Sequence, residues 1–175
     1  MKILFFATAL TLITGCSQYD FSVNDNVLYT PKPLLTVSNI LDSNLQACIE
    51  QAVVDRKVTS VSQLTQLQCS HAGIVSLAGL ERYFAITELD LADNKIRDAR
   101  PLGRLGKLTL LHIENNRISD SAPLLQLIKL TDVNLEGNQK VNCQDLLQLQ
   151  RTVKENRGTI SLPEHCQNND LQSEG

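Results

Sequence analysis

The chain has 175 residues, 42% hydrophobic and 20% charged, which is the length and balance of one globular domain with its own core. With no tryptophan and 4% aromatics, that core is aliphatic. A net charge of −3 without runs of Lys and Arg excludes a nucleic-acid surface, because phosphate contacts need clustered cations.

Lys2 precedes an apolar run from Ile3 to Ile13, too short to span a bilayer but of signal-peptide length. It ends in Ile13-Thr14-Gly15-Cys16, which resembles the lipobox of bacterial lipoproteins: a branched apolar residue, two small residues, then cysteine. The resemblance implies cleavage after residue 15, diacylation of the Cys16 thiol and acylation of the new amine. Two or more fatty chains, at about 0.8 kcal/mol per buried methylene, anchor a protein durably. By the same resemblance Ser17 permits transfer to the outer membrane, so the expected location is the cell envelope, on its periplasmic or its outer side.

Residues 16–38, with Asn, Asp, Pro31 and Pro33, read as a lipidated tether. If flexible it spans about 25 Å on average and at most about 70 Å extended; packing of Phe21, Val27, Leu28 and Tyr29 on the body is the alternative. Leu41, Leu45, Cys48, Ile49, Ala52 and Val53 follow at helical spacing around a candidate N-cap, Asp42, and predict a helix covering one end of the body.

From there the chain repeats. Asn94, Asn116 and Asn138 recur at intervals of 22 residues, in step with Leu89, Leu111 and Val133; Leu91, Ile113 and Leu135; Ile96 and Ile118; Asp98 and Asp120; Pro101 and Pro123; and Leu102, Leu124 and Leu146. Leu89-Asp90-Leu91-Ala92-Asp93-Asn94-Lys95-Ile96 and Leu111-His112-Ile113-Glu114-Asn115-Asn116-Arg117-Ile118 fit the L-x-L-x-x-N-x-I core of the leucine-rich repeat. With the Asp and Pro-Leu columns they resemble the 22-residue internalin-like subclass. That resemblance implies a short right-handed α/β solenoid with a parallel sheet on its concave face, the asparagine bonding the backbone of each bend, and a terminal cap at each end. Leu67, Cys69, Ala72, Ile74 and Leu80 make a degenerate first coil. Leu146, Leu149 and Val153 predict a second capping helix before Gly158, and Thr159-Ile160-Ser161-Leu162 a last strand. The capped repeat domain then covers residues 39–166, and 167–175 form a polar, disordered tail.

Apart from Cys16, an even number of cysteines remains in an exported chain, Cys48, Cys69, Cys143 and Cys166. Three pairings can be drawn; the repeat reading selects Cys48 with Cys69 and Cys143 with Cys166, one bridge at each cap. Neither a CxxC nor a Cys/His ligand spacing points to zinc.

Strand residues alternate, so Glu88, Asp90, Leu110, His112, Glu114, Asp132, Asn134 and Glu136 are expected on the concave face as the partner-binding residues. Their acidic balance suits a protein or peptide partner carrying Lys or Arg. His112 beside Asp90 and Asn134 is the one constellation that looks like a base or a ligand, yet the repeat brings it no nucleophile and no second histidine. No catalytic residue, metal or cofactor is assigned. The expected function is an envelope-anchored interaction module, with a periplasmic scaffold or an inhibitor as the alternatives.

Overall fold

The computed structural model describes residues 21–23, 26–29 and 32–167. The leader, Cys16 and the end of the polar tail lie outside them. The chain divides into two compact units, Met1–Pro33 and Leu34–Gly175. In the first, β1 (Phe21–Val23) pairs antiparallel with β2 (Asn26–Tyr29), with an irregularity between Phe21 and Ser22. A paired ribbon thus occupies part of the segment read as tether.

The second unit is a leucine-rich-repeat solenoid. Its sheet holds β3 (Gln66–Gln68), β4 (Glu88–Asp90), β5 (Leu110–His112), β6 (Asp132–Asn134) and β7 (Thr159–Ser161), all parallel and in chain order. Register follows the period: Leu67 lies beside Leu89, then Leu111, Val133 and Ile160. On the opposite side each coil returns through a short 3-10 turn at Leu80–Arg82, Arg100–Arg104 and Ala122–Gln126, the last two with proline in the first turn. Asp98 and Asp120 do not cap these turns from the N-cap position. Their carboxylates accept the N–H two residues on, from Arg100 and Ala122, as the Ser76 hydroxyl does from Ala78 in the first coil.

A single coil leaves its leucines half-covered; stacking buries them in columns. Leu64, Ile86, Leu108 and Leu130 are at 0% exposure, and Leu80, Leu102, Leu124 and Leu146 do the same at the convex turns. At about 1.5–3 kcal/mol for each such side chain, this aliphatic stack is the main stabilising term.

The polar side of the stack is the asparagine ladder. Asn116 accepts from Ile96 N at 3.0 Å and donates to the carbonyls of Leu91, Ile113 and Glu114 at 2.9, 3.1 and 3.0 Å. Asn94 and Asn138 repeat the pattern one coil earlier and one later. Each amide therefore closes its own bend and holds the coil before it. The ladder looks backward, which accounts for Ala72: before the first coil there is no coil to hold.

Asp42 supplies the tie at that end. It is the N-cap of α1 (Ser43–Asp55), accepting from Asn44 N and Leu45 N, and its other oxygen accepts from Val75 N and Ser76 N in the first coil. Leu45, Ile49 and Val53 seal the core, whereas Leu41 precedes the cap and is 82% exposed. The body also starts earlier than the repeat implied: Leu35 N donates to Val58 O, and Leu35 and Val37 pack against the core. At the other end α2 (Cys143–Glu155) packs through Leu146, Leu149 and Val153. Its left-handed exit residue is Arg157, while Gly158 is needed for a different reason: a Cβ there would stand 2.0 Å from Thr131 O. A last short helix, α3 (Glu164–Gln167), carries Cys166. The bridges are Cys48–Cys69, joining α1 to the end of the first strand, and Cys143–Cys166.

Two outcomes test this arrangement. Asn116→Ala strands the buried Ile96 N–H, while the carbonyls of Leu91, Ile113 and Glu114 each keep one donor, Asn94 Nδ2, Asn138 Nδ2 and Asp93 N. At about 1–3 kcal/mol for a buried group left unmade, urea unfolding should show a loss of about that size. Asn116→Asp should not rescue it, because its second oxygen would face three carbonyls with no hydrogen to give. For Asp42, burial works to raise the pKa, but the four backbone N–H groups outweigh it and hold the carboxyl below 3.8. A folded pKa below the unfolded one means the stabilisation is complete above about 3.8 and is lost as pH falls through the folded value. The acid limb of denaturant midpoint against pH should therefore be shallower in Asp42→Asn than in wild type.

Candidate functional site

The inward side chains of each strand fill the core, so the alternate ones form an uncovered face in three columns. Gln66, Glu88, Leu110, Asp132 and Thr159 make the first; Gln68, Asp90, His112, Asn134 and Ser161 the second. Beyond the strand ends, Ser70, Ala92, Glu114 and Glu136 continue the period. Five strands at about 4.8 Å spacing give a face about 19 Å wide.

All eight residues expected on this face are exposed or half-exposed. Ala92, which follows the same alternation, is buried at 6%. The polar groups are partly engaged with one another. Gln66 Nε2 donates to Glu88 Oε2 at 2.9 Å across the strands. Asp90 and Asn134 turn back on their own strand ends, accepting from Ala92 N at 3.0 Å and Glu136 N at 3.1 Å. These two therefore shape the surface as well as line it.

His112 lies in register between Asp90 and Asn134, yet the carboxylate its ring approaches is the diagonal one: Nε2 stands 3.5 Å from Asp132 Oδ1. Its cross-strand and diagonal neighbours include no serine, cysteine or lysine, so among the described residues no nucleophile is placed beside this imidazole. Glu114 Oε2 is inaccessible to solvent and has no hydrogen-bond partner among the described residues. Such an oxygen carries its desolvation penalty of about 1–3 kcal/mol uncompensated, and a donor brought by a partner would relieve it. A hollow of about 140 Å³ lies over the first three strands, lined by Gln66, Gln68, Glu88, Asp90, Leu110 and His112.

Cys143, His165 and Cys166 also cluster, with one donor atom of each within 4.8 Å of the others. The two sulfurs are joined in the disulfide, and the imidazole Nε2 lies 3.2 Å from the Val141 carbonyl, so the cluster is not a metal site as it stands.

Two features of the face go beyond what the sequence shows. The first is the register of the last strand: expected at residues 159–162, it is present as β7 and, although it lies outside the 22-residue period, it joins the sheet in register and adds Thr159 and Ser161 to the columns. The second is the rim where the chain leaves each strand. His71, Asp93, Asn115 and Gly137, again at intervals of 22, all have positive φ, between 54° and 72°. Along that rim Asn115 Nδ2 donates to Asp93 Oδ1 at 2.9 Å, and His71 Nε2 lies 3.2 Å from Asp93 Oδ2. A Cβ at Gly137 would meet the Asn115 side chain at 2.2 Å, so the row ends in glycine. The signal was a column of Asp, Asn and Gly, the residues that tolerate left-handed backbone.

No family model matches the chain, and no curated protein is similar to it. Solved structures do match. An internalin (inlF) from Listeria monocytogenes is 28% identical, with a TM-score of 0.56 over 63% of this chain and 34% of that one, so this chain spans about a third of its length. An internalin C2 from the same organism is 27% identical, with a TM-score of 0.45 over 59% of this chain and 43% of that one. The functional domain of InlJ, also from L. monocytogenes, is 17% identical at a TM-score of 0.36, over 58% and 32% of the two chains. With its own repeats, its parallel sheet and the likeness to inlF, the chain has the leucine-rich-repeat solenoid fold, and internalins are among its structural neighbours.

Proposed function

We propose that this chain is an envelope-anchored interaction module that binds a protein or peptide rich in Lys or Arg through its concave face, with the lipid anchor on Cys16. One observation carries the reading: a five-stranded sheet face on which Glu88, Asp90, Glu114, Asp132 and Glu136 converge around His112 and Leu110, with Glu114 holding an unpartnered carboxylate oxygen. An array of carboxylates on a narrow surface repels itself, and a cationic partner relieves that repulsion while steering its own approach. Leu110 gives the centre an apolar contact. The internalin-type neighbours support binding in place of catalysis.

The size of the face sets the strength. About a dozen side chains are fewer than the 20–30 per side of a standard interface, so affinity is modest and falls with salt. The acidic face therefore acts through charge and local concentration at a membrane surface more than through buried area.

The test uses two variants in cells. Cys16→Ser should move the protein from the membrane fraction to the soluble one. Glu88→Lys/Asp132→Lys/Glu136→Lys, which spares the strand-end bond of Asp90, should stay in the membrane and keep its unfolding midpoint while losing at least about tenfold in partner capture, or about 1.4 kcal/mol. Equal capture by this variant would remove the concave face from the account and favour a scaffold role for the caps and convex side. Membrane retention of Cys16→Ser would remove the lipid anchor.

A further inference from the structure

The fourth coil departs from the period by one residue. In the two coils before it, the residue after the ladder asparagine bonds back to the preceding coil: Lys95 N to Ile74 O and Arg117 N to Ile96 O, both at 2.8 Å. Gln139 N turns instead to Gly137 O at 3.1 Å, and contact is regained only at Asn142 N, which donates to Ser119 O at 3.3 Å. Val141 takes the buried place that Ile96 and Ile118 hold, and the extra residue, Lys140, is exposed. Where the ladder parts, a cavity of about 570 Å³ opens on the rim.

Its charge is one-sided. Arg97, Arg117 and Lys140 line it together with Ser119 and Gln139, and among the described residues no carboxylate does. All three cations are exposed, and none has an ion pair or side-chain hydrogen bond among the described residues. The acids next to them in the chain are committed elsewhere: Asp98 to Arg100, and Asp120 to Ala122 N. Glu164 lines the adjoining hollow with His165, not this one. Adjacent coils stack at about 4.8 Å, so residues far apart in the chain present two guanidinium forks and one ammonium to one space.

We propose that this rim pocket binds a phosphate group, as a phosphomonoester in solution or as a lipid headgroup. Three cations without a counter-charge call for an occupant that carries more than one negative charge. Guanidinium forks match the tetrahedral oxygens in pairs, which a single carboxylate does not offer to two forks at once. The Ser119 hydroxyl and the Gln139 amide supply neutral donors. The pocket lies on the rim, outside the concave columns, so it and the acidic face are occupied independently.

The experiment is calorimetric titration of the full chain with inorganic phosphate and with phenyl phosphate, alongside sedimentation with phosphatidylcholine vesicles with or without phosphatidic acid. Wild type should bind phosphate, and Arg97→Ala/Arg117→Ala should lose about tenfold or more in affinity, since each charge-assisted bond removed weakens binding. Arg97→Lys/Arg117→Lys keeps the charge without the forks and should fall between the two. Arg104→Ala/Lys129→Ala, outside the pocket, should match wild type, and circular dichroism checks that each variant is folded. Co-sedimentation only with phosphatidic acid assigns a headgroup; phosphate binding without vesicle binding assigns a soluble phosphomonoester. Absence of phosphate binding by wild type in both formats, or equal binding by the double alanine variant, overturns the proposal.

Discussion

The side-chain amides of Asn94, Asn116 and Asn138 decide how this short solenoid holds together. Each satisfies buried backbone groups of two coils at once, accepting from the earlier one and donating to both. Hydrophobic columns alone would let coils slide or tilt, because leucine packing has no direction. A planar amide with fixed donors and acceptors, acting with the hydrogen bonds of the parallel sheet, sets the register between coils and so the alignment of the outward side chains. The concave array and the rim are thus consequences of a polar ladder buried beneath them.

A ladder that looks backward needs a beginning, and a stack of few coils has much of its core near an open end. Both problems meet at the caps. Asp42 takes the role of the missing asparagine by joining a helix start to the first coil, and the Cys48–Cys69 bridge ties the same two elements by a covalent link. At the far end α2, β7 and the Cys143–Cys166 bridge close the core after the period has broken. That break is also what makes the rim pocket, so the end of the repeat is where the surface becomes distinctive.

The repeat positions were legible because one physical demand, burial at each turn of the coil, recurs at a fixed interval; Leu89, Leu111 and Val133 sit where the period puts them. Both disulfides follow from the same register. What escaped was set by departures from it. Leu41 has the hydrophobicity and spacing of a cap-helix residue, but the chain is not yet helical there and the side chain is exposed. Leu35 and Val37 lie among prolines and polar residues and so read as tether, although they pack on the core. The sequence shows no run of cations, yet stacked coils bring Arg97, Arg117 and Lys140 to one cavity. His112 was legible as a concave residue, whereas its approach to Asp132 in place of Asp90 depends on side-chain rotation that no period encodes.

Amide hydrogen exchange of the native protein tests the central claim most directly. The N–H groups of Ile74, Ile96 and Ile118, each donated to a ladder asparagine, should exchange only through global unfolding, with protection equal to that of the core strand amides. Exchange of these three by local opening, while the strands stay protected, would show that the sheet and the leucine packing hold the coils and that the ladder is incidental.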